Sequence, residues 1–273
     1  MRTRLFFGIP AAIVLLGLVL WAPTWLIQLT VLIAAAFAYL EYDRLMFQNR
    51  SVFRWILMTS LVLAIIYQIG RSEQNAFHLI TLSFVAICSS ILFQYQTGDF
   101  IEAVRALSLQ LLGLFYVCSL FGFLVPIAHW ADTGRFYLLY LFLLVFLGDT
   151  TAYFAGMKWG QTKLAEKISP NKTVEGAVAA MLSSVVITWV WIAFIYPETV
   201  EKSVYRNLIL FSPVLSLLAQ GGDLFESVLK RSQSQKDSGV FLPGHGGILD
   251  RIDGLAFTGP AFYLFIYYFL GRY

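Results

Sequence analysis

The sequence contains little charge, few histidines and almost no cysteine. Of its 273 residues only 13% are charged, 3 are histidine and 2 are cysteine. Two cysteines cannot form a disulfide framework, and no set of zinc ligands is available. The chain is instead 59% hydrophobic, in apolar runs that recur along its whole length, which excludes an ordinary soluble domain. The composition therefore predicts an all-α polytopic membrane protein.

Nine apolar segments are candidates for transmembrane helices, because a span needs roughly 17 to 25 apolar residues. They are approximately residues 5–20, 24–40, 53–70, 76–96, 107–128, 136–156, 176–196, 206–228 and 255–271. The first two are divided only by Ala22 and Pro23, so they could form a hairpin or one broken helix, and eight spans is the alternative count. Cys88 and Cys118 fall within predicted spans, where we interpret them as small core residues.

Basic residues are distributed unevenly between the two sides of the nine-span arrangement. Fourteen of the 19 lysines and arginines fall on the side that holds the amino terminus and both long polar connections, and five fall on the other. Since cytoplasmic loops carry the excess of Lys and Arg, we expect both long connections to be cytoplasmic. No nucleic-acid partner is expected, because the chain has no soluble basic domain.

Polar residues are concentrated in the carboxy-terminal half. Residues 1–131 are mostly spans joined by short loops, with little in them that could do chemistry, whereas residues 132–273 contain two long connections, 157–175 and 230–254. Acidic residues within or at the ends of spans are typical of functional sites. Those that precede the two connections are Asp149, Asp223 and Glu226. We therefore predict an amino-terminal structural region and a carboxy-terminal catalytic region.

One face of the eighth predicted span carries two acids and a base. Asp223, Glu226, Ser227 and Lys230 are spaced i, i+3, i+4 and i+7, which places them on one stripe of a helix. The preceding 221–222 glycine pair would let another backbone approach closely, or would let the helix unwind. The alternative interpretation is an ordinary salt-bridged helix end near the lipid headgroups.

The connection after this span combines glycines with carboxylates. Asp250 and Asp253 face the same way on a helical turn, and such hard oxygen ligands suit magnesium. His245 lies among glycines whose backbone amides can hold phosphate oxygens, although this segment taken alone is more often a tight turn. The nearby charged residues are Lys230, Arg231, Lys236, Asp237 and Arg251.

The other long connection is also basic. It follows Asp149 and Tyr153, which share a helix face at i and i+4, and it contains a predicted turn at 169–171. Its lysines are Lys163, Lys167 and Lys172. These residues indicate a membrane enzyme that uses magnesium and a basic pocket on a phosphorylated substrate, but they do not select a reaction.

Several segments resemble the signature of the phosphatidate cytidylyltransferase family, also called CDP-diacylglycerol synthases. They are 227–231, 236–239, 243–247 and 249–253, with a second block at 148–156 and 168–176. The amino-terminal half is similar to the family only as a series of spans. Gly254 stands where the family pattern leads us to expect a small hydroxyl residue such as serine.

The resemblance implies transfer of CMP from CTP to phosphatidic acid, giving CDP-diacylglycerol and pyrophosphate by direct attack of the lipid phosphate. It implies a magnesium ion held by Asp223 and Asp250, with potassium as a candidate second ion. The implied catalytic residues are Lys230, Arg231, Lys236, Asp237, His245, Arg251 and Asp253. The implied substrate-binding residues are Asp149, Tyr153, Lys172, Glu175, Glu226, Ser227, Gly246 and Gly247. The resemblance also implies a homodimer. The compact chain suggests a prokaryotic plasma membrane, and we expect the site to open to the cytoplasmic face because the lipid must enter from the bilayer.

Three other classes of protein fit parts of the pattern less well. A transporter of anionic solutes often shows inverted repeats with broken helices in both halves, whereas the polar residues here are concentrated in one half. A CDP-alcohol phosphotransferase would carry Ala-Arg after its Asp-Gly-x-x, whereas Asp253-Gly254 is followed by Leu255-Ala256-Phe257-Thr258. A structural membrane scaffold would leave the polar stretch without a purpose.

Overall fold

The computed structural model of the chain describes residues 2–47, 49, 51–69, 71, 73–95, 99–130, 133–194, 202–239 and 246–270. Within them the elements are α1 (Arg2–Trp21), α2 (Thr24–Met46), α3 (Val52–Ile69), α4 (Glu73–Gln94), α5 (Phe100–Phe121), α6 (Leu124–Ala128), α7 (Gly134–Trp159), β1 (Lys163–Ala165), β2 (Ser169–Thr173), α8 (Val174–Phe194), α9 (Lys202–Ser232), α10 (Leu249–Ile252) and α11 (Leu255–Leu270). The predicted helical, polytopic architecture is confirmed, with one small β-hairpin added.

The predicted apolar segments largely coincide with helices. In the described part of the chain, seven helical segments are long and apolar enough to cross a membrane, and they lie in α2, α3, α4, α5 with α6, α7, α8 and α9. Helix α11 is apolar but has only 16 residues. Helices α1 and α2 are separate and meet at Pro23, because proline disfavours a helical conformation in the residue before it. The count of nine spans stays a prediction.

The first long connection contains a short antiparallel hairpin. Strand β1 pairs with β2 so that Lys163 lies opposite Thr173 and Ala165 opposite Ser169. The turn predicted at 169–171 is therefore wrong, since these residues belong to β2. Pro170 has no N–H to donate, and a two-stranded ribbon tolerates it because each strand has one unpaired edge. The Nζ of Lys163 donates to the carbonyl oxygen of Pro170 at 2.7 Å and fastens the two strands together.

Aromatic packing joins the two halves of the chain. The ring of Phe225 in α9 lies 5.4 Å from that of Tyr116 in α5 and 5.8 Å from that of Phe257 in α11. The hydroxyl of Ser119 in α5 donates to the carbonyl oxygen of Ala256 in α11 at 2.5 Å. Offset and tilted aromatic pairs add to the free energy of burial. The carboxy-terminal helices that carry the polar residues thus rest on α5 of the amino-terminal half.

Gly222 allows close approach between α9 and the junction of α10 with α11. Helix α9 is continuous from Lys202 to Ser232, so of the two alternatives for the glycine pair, close approach is the one observed. A Cβ atom on Gly222 would overlap the carbonyl oxygen of Asp253 and lie 3.2 Å from its carbonyl carbon. The backbone of Asp253 is therefore held directly against α9.

A buried ion pair joins α2 to α3. The Nε of Arg54 donates to Oδ1 of Asp43 at 2.7 Å, Nη2 donates to Oδ2 at 3.2 Å, and both side chains are 7% exposed. The guanidinium also lies 3.9 Å from the centroid of the Phe47 ring. Two parallel hydrogen bonds and a cation–π contact fix the geometry of this pair.

Replacing Asp43 by asparagine is expected to lower the free energy of unfolding by about 3–5 kcal/mol, because Arg54 would remain buried without its anion. Thermal unfolding in detergent measures the change. Glu102→Gln is the matched control, since Glu102 and Arg105 form a pair whose side chains are 51% and 61% exposed, and exposed pairs contribute at most about 1 kcal/mol. An unchanged melting temperature for Asp43→Asn would contradict the prediction.

Candidate active site

Lys230 connects the end of α9 to the loop before α10. Its Nζ donates to Oε2 of Glu226 at 2.5 Å and to Oδ1 of Asp250 at 2.6 Å. The side chains of Lys230, Glu226 and Asp250 are 12%, 0% and 8% exposed. Charges removed from water are costly unless they are paired, and here one cation serves two acids. The spacing of the predicted stripe does bring Glu226 and Lys230 together on one face of α9.

Asp250 organises the loop around it. Its Oδ2 accepts hydrogen bonds from the amide of Ser238 at 2.8 Å, from the hydroxyl of Ser238 at 2.9 Å and from the amide of Gly247 at 2.9 Å. Burial raises the pKa of Asp250, but the hydrogen bonds from Lys230, Gly247 and Ser238 outweigh it and keep the pKa below its ordinary value. Asp250 is therefore an anion that holds the loop in place.

The glycines before Asp250 shape this loop. Gly246 has φ of 78°, in the left-handed region that favours glycine, and a Cβ atom there would lie 2.7 Å from Oδ2 of Asp250. The amide of Gly247 donates to Asp250, so its predicted contact with a phosphate oxygen stays a prediction. His245, which the sequence predicts to be catalytic, lies outside the described residues.

Carboxyl groups accumulate next to this loop. Asp149 of α7, Asp223 and Glu226 of α9, and Asp253 lie close enough to interact electrostatically. Burial, and then the carboxylates of Asp223, Glu226 and Asp149, raise the pKa of Asp253 well above its ordinary value. Oε1 of Glu226 is buried and accepts no hydrogen bond from the groups that the structure describes. Together with Asp250, these acids outnumber the two neighbouring cations, Lys172 and Lys230.

A cavity of about 560 Å³ lies between α7, the β-hairpin, α8 and α9. This volume is typical of sites for small molecules. Its polar lining residues are Asp149, Tyr153, Lys163, Ser169, Asn171, Lys172, Thr173, Gln220 and Asp223. The Nζ of Lys172 forms an ion pair with Oδ2 of Asp223 at 2.5 Å. Four residues that the sequence predicts to bind substrate or metal are thereby brought into one cavity, and their individual roles stay predictions.

The remaining predicted residues have other surroundings. The two carboxylate oxygens of Glu175 accept a bifurcated hydrogen bond from the amide of Thr162, at 3.0 and 3.2 Å, and Glu175 is not part of the cavity lining. Arg231 donates to the carbonyl oxygens of Ile168 and Gln235, which joins the end of α9 to the hairpin. Ser227 is buried, whereas Lys236, Asp237 and Arg251 are exposed.

Glu41 of α2 is a polar residue of this region that sequence reasoning missed. It is 7% exposed, and its carboxylate accepts hydrogen bonds from the amides of Ile248 at 3.0 Å and Leu249 at 3.1 Å. The expectation that residues 1–131 contain little that could do chemistry stays a prediction, but Glu41 brings a polar side chain from this half to the loop. A signal existed, since Glu41 ends the second apolar segment in the way that Asp149 lies near the end of the sixth.

Tyr116 of α5 is a second contribution from the amino-terminal half. It is 4% exposed, and its hydroxyl has no hydrogen-bond partner among the described residues. It lies close enough to Glu226 and Asp253 to interact with them electrostatically. A buried hydroxyl without a partner costs free energy, so a ligand or water bound next to the acidic cluster (Asp149, Asp223, Glu226 and Asp253) would stabilise it.

The fold and the site together define an integral, multi-pass membrane protein with a polar site of buried acids and lysines. The sequence profile described as the cytidylyltransferase family matches residues 2–269. The chain therefore belongs to the cytidylyltransferase family, and it is a nucleotidyltransferase enzyme. The match gives no support to a transporter, a CDP-alcohol phosphotransferase or a scaffold.

Curated relatives from bacteria carry a more specific name. The chain is 32% identical to the phosphatidate cytidylyltransferase of Thermotoga maritima over 194 residues, which cover 70% of each chain. It is 39% identical to the protein of that name from Haemophilus influenzae over 137 residues, covering 50% of this chain and 47% of the relative. For Bacillus subtilis the identity is 38% over 156 residues, covering 57% and 56%. The matched region thus spans about half or more of each relative.

Proposed function

We propose that this protein is a phosphatidate cytidylyltransferase that transfers CMP from CTP to phosphatidic acid in phospholipid synthesis. The observation that carries the proposal is the meeting of the two sequence blocks that resemble the family. Lys172 of the upstream block pairs with Asp223 of α9 at 2.5 Å, and α9 in turn contacts the loop of Asp250 through Lys230 at 2.6 Å. The names of the bacterial relatives support the same reaction.

The proposed reaction is a direct displacement at the α-phosphorus of CTP. An oxygen of the lipid phosphate forms a new bond to this phosphorus, the bond to the bridging oxygen of the β-phosphate breaks, and pyrophosphate leaves with the electron pair. No protein nucleophile is required, so catalysis consists mainly of positioning and charge stabilisation. Lys172 and Lys230 are the partly buried cations that would face the phosphates, and the exposed Lys236 and Arg251 would add positive charge at the loop.

The carboxylates present fit a magnesium ion. Magnesium typically takes one or two carboxylates and completes its shell with water and substrate phosphates, so it does not need three protein ligands. No group of three or more acidic, histidine or cysteine side chains converges on a metal position among the described residues. Magnesium, when bound, would neutralise charge on the phosphates and offset the excess of buried acids. A potassium ion beside it remains part of the proposal.

Asp223 is the better of the two predicted magnesium ligands. A carboxylate offers about four acceptor positions, and three donors already bind Oδ2 of Asp250 while Lys230 binds its Oδ1. With about two positions on each oxygen, Oδ2 is fully occupied and only Oδ1 has a position left. Asp223 has one ion-pair partner, Lys172, with Asp149 and Asp253 close by. We propose Asp223 as the main ligand, with Asp253 and Asp250 as further candidates.

The lipid substrate would enter the cavity sideways from the bilayer. Tyr153 and Met157 of α7 line the cavity and are 65% and 67% exposed, so they could contact an acyl chain. The excess of Lys and Arg supports a cytoplasmic position for both loops, and the bacterial relatives support a plasma membrane. The proposed homodimer remains a prediction.

The proposed function predicts that the purified protein in detergent, supplied with CTP, phosphatidic acid and magnesium, forms CDP-diacylglycerol and pyrophosphate in equal amounts. Asp223→Asn is expected to lower kcat/KM by about 10²-fold or more, because it removes a charge that acts on the phosphates or their metal. Lipid chromatography and a pyrophosphate assay measure both products. Omission of phosphatidic acid is the control for simple CTP hydrolysis. A folded protein that forms no CDP-lipid would refute the proposed function.

A further inference from the structure

Glu41 is a buried acid in the half of the chain that the nucleotidyltransferase motifs do not reach. It lies near the carboxy-terminal end of α2 and is 7% exposed. None of the ion pairs among the described residues includes it, and the nearby Arg54 is bound to Asp43 instead. A buried carboxylate needs compensating donors. Those of Glu41 come from the polar loop, about 200 residues further along the chain.

Both sides of the loop contact this carboxylate. Oε1 accepts from the amide of Ile248 at 3.0 Å, and Oε2 accepts from the amide of Leu249 at 3.1 Å. The hydroxyl of Ser238 lies 3.4 Å from Oε2. Glu41 therefore holds residues that immediately precede Asp250 as well as the residue on the opposite side of the loop.

Glycines let the loop backbone pack against Glu41. A Cβ atom on Gly239 would lie 2.9 Å from Oε1 of Glu41, and one on Gly247 would overlap both Oε2 of Glu41 and the hydroxyl of Ser238. Larger residues at either position would push the loop away from α2. The glycines of this loop therefore have a role in docking it on α2, besides any contact with substrate.

Ser238 links Glu41 to Asp250. Its hydroxyl is 2.9 Å from Oδ2 of Asp250 and 3.4 Å from Oε2 of Glu41, and its single proton is directed mainly at the nearer acceptor. Asp250 in turn accepts from Lys230 at 2.6 Å. A continuous chain of contacts thus runs from α2 through the loop to Lys230, which faces the acidic cluster.

From this geometry we propose that Glu41 is a positioning residue for the cytidylyl transfer, which fixes the loop so that Asp250 and Lys230 stand in reactive positions. The inference rests on the proposed function for its kinetic consequence, but the contact itself can be tested separately. Glu41 touches no substrate in this scheme and acts through Asp250. Its removal should therefore lower turnover more than it weakens substrate binding.

Glu41→Gln and Glu41→Asp test the proposal. Glutamine turns one acceptor into an NH2 group that cannot accept from a backbone amide, whereas aspartate keeps both oxygens on a shorter stem. We expect Glu41→Gln to lower kcat by about tenfold or more, a size typical for residues that orient a ligand-bearing group. The KM for CTP should stay within about twofold, since uniform binding is untouched. Glu41→Asp should recover part of the loss.

Two further measurements separate positioning from simple folding defects. Asp43→Asn lies on the same helix but contacts α3, so it should lower the melting temperature while kcat per folded molecule remains that of the parent. Hydrogen–deuterium exchange of peptides that contain Ile248 and Leu249 should be faster in Glu41→Gln than in the parent. If Asp43→Asn does not fold, Glu102→Gln takes its place as the control variant that lacks one acid.

The outcomes are distinguishable from those of the proposed function. Parental kcat in Glu41→Gln, or losses in both Glu41 variants that match their loss of folded protein, would overturn the positioning role. If the parent itself forms no CDP-lipid, the proposed function fails. Hydrogen–deuterium exchange is then the measurement that tests the contact of Glu41 with the loop. Unchanged exchange at 248–249 would overturn the contact, and faster exchange would support Glu41 as the group that holds the loop.

Discussion

Lys230→Met is expected to slow the proposed cytidylyl transfer strongly and to destabilise the protein. Methionine has a similar length but no charge, so Glu226 and Asp250 would face each other, 0% and 8% exposed, without a cation. Removal of one partner from a buried ion pair costs about 3–5 kcal/mol. If Lys230 stabilises developing phosphate charge, as proposed, its loss should lower kcat by about 10²–10³-fold. Thermal unfolding and CDP-lipid formation measure the two effects.

The two effects of Lys230→Met can be separated by a second substitution. Glu226→Gln in the same protein removes one of the two unpaired acids, so stability should recover in part while activity stays low. Lys167→Met is the control for lysine removal, because Lys167 is exposed in the turn between β1 and β2. If Lys230→Met retained parental kcat per folded molecule, Lys230 would have no part in catalysis.

Gly222→Ala is expected to lower both stability and activity. The new methyl group would overlap the carbonyl oxygen of Asp253, so α9 and the junction before α11 must separate. Overpacking of this kind costs about 1–3 kcal/mol. A displacement of about 1 Å at reacting groups can cost about 10²-fold in rate, and Asp253 and the adjoining Asp250 would move with the backbone. Thermal unfolding and the CDP-lipid assay measure the result.

The neighbouring glycine provides a matched control for this substitution. A Cβ atom on Gly221 would lie 3.4 Å from the ring of Phe257, in ordinary contact with a side chain. Alanine is the better helix former at both positions by about 1 kcal/mol, so Gly221→Ala should be neutral or slightly stabilising. Equal behaviour of the two variants would show that close approach at Gly222 does not matter.

The contacts behind these predictions differ in how far the sequence alone reveals them. Lys230 follows Glu226 by four residues, so their contact is predictable from helical spacing alone. The importance of Gly222 was one of two alternatives, because a glycine pair is compatible both with close packing and with unwinding. The partners of Asp250 could not be predicted. They come from α9, from residue 238 and from residue 247, and only the tertiary structure brings them together.

The class of protein and the approximate positions of its helices were predictable from local composition. Long apolar runs must become helices in a bilayer because every backbone N–H and C=O has to be bonded within the segment, and this rule needs no knowledge of tertiary contacts. The same reasoning failed at 169–171, where Pro170 suggested a turn and the chain instead forms strand β2. Strand pairing depends on partners elsewhere in the chain, which local residue preferences do not encode.

The sequence by itself determined that this is a polytopic membrane protein with a polar motif in its carboxy-terminal half that resembles the phosphatidate cytidylyltransferase signature. Tertiary structure alone decided that Lys172 pairs with Asp223, that the cavity lies between α7, the hairpin, α8 and α9, and that Glu41 holds the loop before Asp250. The physical reason is the separation in sequence between the residues that interact. Spans and helical stripes arise from neighbours within a few residues, whereas hydrogen bonds between Glu41 and residues 248–249 require the packing of distant helices.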